Sequence, residues 1–234
     1  MATSGSSNFY VTRDDIIKSA LRKVNGLGLW ESPSTEATAA AALSLNVIAK
    51  RLMAMNMPVW KTLQTDIVGS LLTTSQVQMG VGQAVDVPKP MKLFHAEWNM
   101  DDVDTQLRIV DRQTFMRYAH PTVTGTPHTV YFQPLRTSTL IILYPYLNTY
   151  NITNGTLKLQ YSAMIEDFDT ATDEPDFPVE WAELLIYELA VNLAPEYALP
   201  MAERGGLSQR LKDLHDMVDT FDIEEGSLYL QPNG

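Results

Sequence analysis

Residues 177–200 read FPVEWAELLIYELAVNLAPEYALP, and this stretch decides the fold of the chain. It predicts a helix that starts near Pro178, stays apolar on nearly every face and runs into further prolines. Because a helix that is apolar all round must be covered by other elements, we expect it at the centre of a helical core. The predicted core residues are Trp181, Leu185, Leu189 and Leu193, with Leu21 and Leu45 from earlier helices.

Two helices are predicted at the N-terminal end of the chain. Thr12 is placed to cap a helix that has acidic residues in its first turn and ends at Asn25-Gly26. After a short loop, Ser32 followed by Pro33 at the first helical position predicts a second helix, which closes before Pro58. The alanine run at 39–42 in this helix allows another helix to approach closely.

A last helix is predicted after Gly205-Gly206, which we interpret as an interruption between two helices. Apolar residues beyond it recur at helical spacing, as one helix face requires. They are Leu207, Leu211, Leu214, Val218 and Phe221. The simplest arrangement packs the two N-terminal and the two C-terminal helices into one four-helix bundle.

Between the helical ends, from Trp60 onwards, the apolar pattern changes to a period of two. β-branched and aromatic segments alternate with clusters of Gly, Pro, Asn and Asp, which predicts about five or six antiparallel strands. The alternation is clearest at Leu157, Leu159 and Tyr161 and is typical of a sheet with one buried and one solvated face. The predicted strands lie at 77–81, 92–98, 107–110, 129–132, 139–144 and 156–165, and one or two helical turns lie within 111–119.

The predicted fold class is α+β, with the four-helix bundle formed by the N- and C-terminal segments, an inserted antiparallel β region and an extended C-terminal tail. Four segments follow from this prediction. They are the N-terminal helical half (1–59), the β region (60–165), the C-terminal helical half (166–222) and the tail (223–234).

Composition limits the chemistry open to this chain. Its 234 residues are 45% hydrophobic and 19% charged, which is enough to bury a full core. The absence of cysteine excludes a catalytic thiol, a thiolate metal site and a disulfide framework. The start MATSGSSNFY lacks the pattern of a signal peptide, and no stretch approaches about eighteen consecutive apolar residues, so we expect no membrane anchor.

The net charge of −11 is unevenly distributed. Residues 1–162 hold 14 Lys or Arg and 11 Asp or Glu, whereas residues 163–234 hold 3 and 17. Such an acidic segment repels nucleic acid from the surface that it covers and attracts basic protein surfaces. Solvation of an acidic helix face is the simpler explanation of the same charge.

A metal site can be considered on five polar residues that lie close together in the sequence. They are His95, Glu97, Asp101, Asp102 and Asp104. His95 and Glu97 share one face of a predicted strand, but the three aspartates are typical of a turn, and we favour the turn.

Other catalytic patterns are weaker still. His120 and His128 flank the segment 121–127, where no third ligand is evident. The sequence holds no GxSxG, phosphate-loop or dinucleotide motif, and 28 acidic residues make any carboxylate pair for glycoside hydrolysis unspecific. We therefore predict no enzyme activity, no cofactor and no metal.

Several segments, taken in order, resemble the head-to-tail adaptor proteins of tailed bacteriophages. They are RDDIIKSALRKVNGLG (13–28), WESPSTEATAAAALSLNVIAKRL (30–52), PVEWAELLIYELAVNLAPEY (178–197), TGTP (124–127), YF (131–132) and LYP (143–145). The pair Glu180-Trp181 followed by LAPEY at 193–197 is the most specific part. The likeness is strongest to the tail accessory, or packaged-DNA stabilisation, proteins of short-tailed phages.

The resemblance implies a structural virion protein at the head-tail junction, assembled in the cytoplasm of the host bacterium. Adaptors of this kind form a connector ring, usually of twelve copies, beneath the portal protein ring. The ring helps to retain packaged DNA, forms the exit channel and provides a platform for the nozzle or hub proteins of the tail. Double-stranded DNA passes through such a channel without sequence-specific binding.

The resemblance also implies a docking role for the C-terminal tail, which in such adaptors reaches the portal. Here it falls on residues 223–234, where apolar residues stand in a polar segment. The expected portal-docking residues are Ile223, Ser227, Leu228, Tyr229 and Leu230. A frayed terminus is the alternative explanation of this tail.

A ring subunit also needs lateral surfaces, for which the sequence offers two sets of residues. Trp30, Trp60 and Phe94 are candidates for apolar contacts, although the position of Trp60 shortly after a proline favours the core. A basic group is a candidate for contacts with acidic residues of a neighbouring subunit. It consists of Lys18, Arg22, Lys23, Lys50 and Arg51.

Two alternative functions remain open from the sequence. A virion-associated peptidoglycan-cleaving enzyme would depend on one or two Asp or Glu residues. A soluble adaptor of another assembly would form a small oligomer without affinity for a portal. The family resemblance favours the connector, although a fold alone does not determine function.

Overall fold

The computed structural model describes residues 9–28, 30–55, 59–72, 74–118 and 123–221. The chain divides into two compact units. The first is helical and combines the two ends of the chain, Met1–Asn56 and Ile165–Gly234. The second is formed by the intervening residues 57–164 and contains the strands. The fold class is α+β.

Among the described residues, the first unit contains four α-helices. They are α1 (Arg13–Lys23), α2 (Thr35–Met55), α5 (Ala182–Leu193) and α6 (Met201–Phe221). Two short helices belong to the second unit. They are α3 (Arg112–Tyr118) and α4 (Thr149–Asn154).

The first helix, α1, starts and ends where the sequence predicts. The Thr12 hydroxyl accepts a hydrogen bond from the Asp15 amide (3.3 Å), and the Asp15 carboxylate accepts one from the Thr12 amide (3.2 Å). This reciprocal pair is a capping box, which satisfies amides that have no partner within the helix. At the other end, Asn25 has a φ of 58°, a left-handed conformation that asparagine tolerates and that ends the helix.

The second helix, α2, begins later than predicted. Ser32 and Pro33 precede it, and it is the Ser34 hydroxyl that accepts a hydrogen bond from the Ala37 amide (3.1 Å). The predicted cap, Ser32, was therefore wrong, because the capping residue is Ser34. A serine at the N-cap satisfies a free amide of the first turn, and Ser34 does this for a helix that starts at Thr35.

The apolar helix α5 is the centre of the first unit and packs against α1, α2 and α6. A 3-10 turn, Val179–Trp181, leads into it from Pro178. The residues predicted for the core are all at most 2% exposed. They are Trp181, Leu185, Leu189 and Leu193 from this segment and Leu21 and Leu45 from α1 and α2. Phe177 packs beside Trp181, with 5.5 Å between the ring centroids.

The predicted interruption at Gly205-Gly206 was wrong, because α6 runs through both glycines from Met201. Its start follows Pro200, whose carbonyl accepts hydrogen bonds from the amides of Glu203 and Arg204 (both 3.0 Å). Glycine in a helix interior costs only about 1 kcal/mol relative to alanine. Burial of Leu214 and Val218 further along the same helix offsets that cost.

The described part of the second unit contains eight strands, where the sequence predicted five or six. They are β1 (Thr62–Val68), β2 (Gln76–Met79), β3 (Pro90–Met100), β4 (Val103–Gln106), β5 (Arg108–Val110), β6 (Thr129–Pro134), β7 (Thr139–Tyr144) and β8 (Thr156–Ala163).

The strands form two four-stranded sheets, in the orders β1-β8-β3-β4 and β2-β7-β6-β5. The first sheet is antiparallel throughout. The second departs from the prediction because its edge strand β5 runs parallel to β6. The crossover between β5 and β6 contains α3, and a crossover of this length is what a parallel pair requires.

Both sheets contribute to one apolar core in the second unit. Trp98 of β3 is fully buried in it, opposite Leu157 of β8. Gly155 lies against Trp98 so closely that an added Cβ would stand 1.9 Å from Cζ2 of the indole ring. The start of β8 therefore requires a residue without a side chain.

Candidate assembly surfaces

The five residues considered for a metal site have different roles in the β3–β4 hairpin and do not converge on one point. Nε2 of His95 lies 2.8 Å from Oε1 of Glu97 on one face of β3. Asp101 and Asp102 form the hairpin turn, with φ values of 51° and 62° that suit a two-residue loop. Within the described residues no group of three or more His, Asp or Glu is arranged to hold a metal ion.

Asp104 follows the turn and lies on β4. Its carboxylate accepts hydrogen bonds from Lys158 Nζ (2.8 Å) and from Asn99 Nδ2 (2.7 Å). The hydrogen bond from Lys158 is the main cause that holds the pKa of Asp104 below its ordinary value. These cross-strand pairs are typical of a solvated sheet face.

The histidine pair considered from the sequence is described only in part. Nδ1 of His128 lies 2.8 Å from the hydroxyl oxygen of Thr129, and its ring meets the edge of Tyr144. His120 lies outside the described residues. His128 therefore contacts the first residue of β6 and the last residue of β7.

A polar cluster that the sequence did not predict joins three helices of the first unit. Glu188 of α5 is buried and forms an ion pair with Arg51 of α2. Its other carboxylate oxygen lies 2.7 Å from Nε2 of His215 on α6. A buried carboxylate is costly unless it is paired and hydrogen-bonded, and this cluster supplies both partners while it links α2 and α6 to α5.

The acidic segment between β8 and α5, residues 166–176, is held against α1 and α2. The amide group of Asn46 exchanges two hydrogen bonds with the backbone of Phe168 (2.8 and 3.2 Å). Lys50 Nζ lies 2.7 Å from the Asp167 carboxylate. Asp173 accepts hydrogen bonds from the side chain and the backbone of Thr170, and these lower the pKa of its carboxyl below the ordinary value.

Three members of the predicted basic group already interact with other residues of the same chain. Lys50 and Arg51 pair with Asp167 and Glu188, and Lys23 lies over the ring of Tyr187, 4.0 Å from its centroid. Because these cations already have partners, contact with a neighbouring subunit would have to replace existing interactions.

The aromatic residues considered for lateral contacts differ in exposure. Trp30 is 98% exposed, whereas Phe94 is 40% exposed and Trp60 is half-buried. The sequence position of Trp60 favoured a core residue, but its side chain is not fully buried. Phe94 lies near Lys92, whose Nζ is 5.5 Å from the ring centroid.

An apolar helix surface of the first unit is exposed on α2. The buried side of α2 is formed by Ala41, Leu45, Ile48, Ala49, Leu52 and Met53. The opposite side is exposed, and we call it the α2 ridge. It consists of Ala39, Ala40, Leu43, Val47 and Ala54. Leu43 is 69% and Val47 59% exposed, so α2 is apolar on two opposite sides.

The resemblance to phage adaptors assigns portal docking to five residues of the C-terminal tail. Ile223, Ser227, Leu228, Tyr229 and Leu230 all lie outside the described residues. Among the helices that the structure describes, none combines the length and the apolar character needed to cross a membrane.

Comparison with known proteins agrees with the resemblance drawn from the sequence. No curated protein matches the chain. The model of one protein family, described as SU10 adaptor protein, matches residues 11–223, which is most of the chain. The match begins just before α1 and extends past the end of α6, so it takes in both units. The chain therefore belongs to the SU10 adaptor protein family, and its resemblance to phage head-to-tail adaptors is confirmed.

Proposed function

We propose that this chain is the subunit of a connector ring that docks beneath the portal of a phage head. The family match over residues 11–223 is the observation that carries the proposal. In this proposal the ring helps to retain the packaged genome, forms its exit channel and presents a platform for tail proteins. Twelve copies is the number that we expect.

The helical unit supports this proposal by its construction. Its helix α5 is buried among three other helices, and the cluster at Glu188 links it to α2 and α6. We propose that the four helices act as one bundle that forms the wall of the ring. A rigid subunit suits a ring because the angle between neighbours must be constant for the ring to close.

The acidic charge of residues 163–234 supports the proposal that DNA passes through the ring without being bound. Residues 163–234 hold 17 Asp or Glu and 3 Lys or Arg. DNA binding gains free energy mainly when cationic side chains release counterions from phosphates. A channel lined by carboxylates lacks that gain, so DNA would pass without being held.

Catalysis has little support in the described residues. The pair His95 and Glu97 is accounted for by the solvated face of β3, and no group there is arranged to hold a metal. We therefore propose a structural role and no enzyme activity. Turnover of peptidoglycan by the purified chain would contradict this part of the proposal.

The direct test is binding of the purified chain to the portal protein of the same phage. We expect the two proteins to co-sediment as one large complex, with about equal numbers of the two subunits. A portal protein from an unrelated phage serves as the control for non-specific adhesion. Failure of the chain to bind its own portal would overturn the proposed function.

A further inference from the structure

We propose that the α2 ridge of one copy of this chain packs against the first turns of α6 on the next copy. The inference rests on the proposed ring, for which it names the lateral contact. The surface on α6 we call the α6 notch. It consists of Met201, Ala202, Gly205 and Gly206, all exposed.

The α2 ridge has the composition of a buried helix surface. A helix that is apolar on opposite sides is stable when both sides are covered, and here α5 and α1 cover one side. The two basic residues of α2, Lys50 and Arg51, have their charged groups paired with Asp167 and Glu188. Covering the ridge would therefore bury Leu43 and Val47 without removing a free cation from water.

Charge favours a second copy as the partner. A chain of net charge −11 repels its own copies wherever their acidic surfaces meet. The residues of the α2 ridge and of the α6 notch are uncharged, although the exposed Glu36 and Arg51 border the ridge and the exposed Glu203 borders the notch. Because Glu36 is the only acidic residue of α2, these two helix surfaces can meet with few carboxylates between them, even though residues 163–234 carry most of the acidic groups of the chain.

The two glycines of the α6 notch have no close neighbours among the residues that the structure describes. Apart from its chain neighbours and the backbone of α6 itself, a Cβ added at Gly205 or at Gly206 would meet none of their atoms within 4 Å. Glycine lowers helix stability relative to alanine, so two in succession within α6 carry a cost that no contact with another described residue explains. Close approach of a neighbouring helix does explain it, because side chains such as Leu43 and Val47 can then reach the backbone of α6.

The symmetry of the contact also suits a ring. The α2 ridge and the α6 notch are different surfaces of one subunit, so each copy offers one surface to each of two neighbours. A contact between unlike surfaces is heterologous, and it closes into a ring when the rotation between copies allows.

Cross-linking tests the contact directly, because the wild-type chain has no cysteine. We expect a variant with Leu43→Cys and Gly205→Cys, assembled on the portal protein and mildly oxidised, to give a ladder of covalent multimers on a denaturing gel. Each single-cysteine variant should give no ladder. Absence of a ladder from the double variant in an assembled ring would overturn the inference.

A second set of variants separates assembly from folding. We expect Leu43→Asp to weaken assembly at least tenfold, and Gly205→Ala with Gly206→Ala to weaken assembly while melting at the wild-type temperature or above it. Val81→Asp in the second unit is the matched control, because Val81 is also exposed and apolar. Its assembly should equal that of the wild type.

The outcomes also distinguish the two proposals. If the wild type and Leu43→Asp form rings equally well, the inference is wrong and the proposed function stands. If the wild type stays monomeric in the presence of the portal, both are wrong. Loss of assembly in Leu43→Asp and in the double alanine variant, with Val81→Asp unaffected, would support the inference.

Discussion

Trp181 connects the most informative stretch of the sequence to the core of the helical unit. It is fully buried beside Phe177 at the entry to α5. We expect Trp181→Ala to lower the free energy of unfolding by about 3–5 kcal/mol, because it removes a large buried side chain and leaves a cavity. Urea unfolding followed by circular dichroism measures the change.

The control for Trp181 is another tryptophan of the same unit. Trp30 is almost fully exposed, so Trp30→Ala should change the unfolding free energy by no more than about 0.5 kcal/mol. Equal losses in the two variants would contradict the assignment of Trp181 to the core.

Glu188 allows a buried carboxylate to be compared with an exposed one on the same helix. Glu188→Gln removes the charge that pairs with Arg51 and His215, so we expect a loss of about 1–3 kcal/mol in unfolding free energy. Glu183→Gln is the matched control, because the ion pair of Glu183 with Arg210 is about half-exposed. Its loss should be at most about 1 kcal/mol.

Chemical denaturation near neutral pH distinguishes these two variants. A Glu188→Gln protein as stable as the wild type would show that the cluster does not hold the helices together. The sequence marked Glu188 as one of few polar residues in an apolar helix, but its partners could not be predicted. They are 137 and 27 residues away, and local spacing carries no information about such pairs.

At the scale of elements, two glycines show how the free space around a residue determines the effect of a substitution by alanine. Gly155→Ala places a methyl group 1.9 Å from an indole carbon of Trp98, and we expect a loss of about 1–3 kcal/mol or more. Gly206→Ala meets only open space within the subunit, so it should stabilise α6 by about 0.5–1 kcal/mol. Melting temperatures of the two variants should shift in opposite directions.

The elements that the sequence predicted are those with a strong periodic signal. For α1 the sequence predicted a cap at Thr12 and an end at Asn25-Gly26, and the structure shows both. β4 is exposed along its whole length, so it has no alternation of buried and exposed residues by which to recognise it. β1 is an edge strand with one fully buried residue, Ile67, and was missed for a similar reason.

Element boundaries and pairings followed from interactions that a linear pattern does not contain. Gly205-Gly206 was predicted to separate two helices. Instead, α6 begins earlier, directly after Pro200, and tertiary packing keeps both glycines helical. The parallel pairing of β5 with β6 depends on the crossover through α3, and alternation alone cannot distinguish parallel from antiparallel neighbours. Of the candidate surfaces, the sequence identified Trp30 but not the α2 ridge, whose exposure depends on which side of α2 meets α5.

At the scale of the whole molecule, we propose that the C-terminal tail reaches the portal, as the resemblance to phage adaptors implies. Deletion of residues 223–234 should leave the unfolding free energy of the helical unit unchanged, because the core at α5 lies outside the deleted segment. Binding to the portal protein should be lost. Co-sedimentation measures binding, and a variant in which only the last three residues are removed is the control. Full-strength binding by the long deletion would contradict docking through the tail.

The central claim is that this chain forms a connector ring under the portal, and electron microscopy of the portal protein with and without the chain tests it most directly. The account predicts added density below the portal with ring symmetry, expected to be twelve-fold, into which the helical unit fits. Particles identical to the portal alone, with the added chain remaining free in solution, would contradict it.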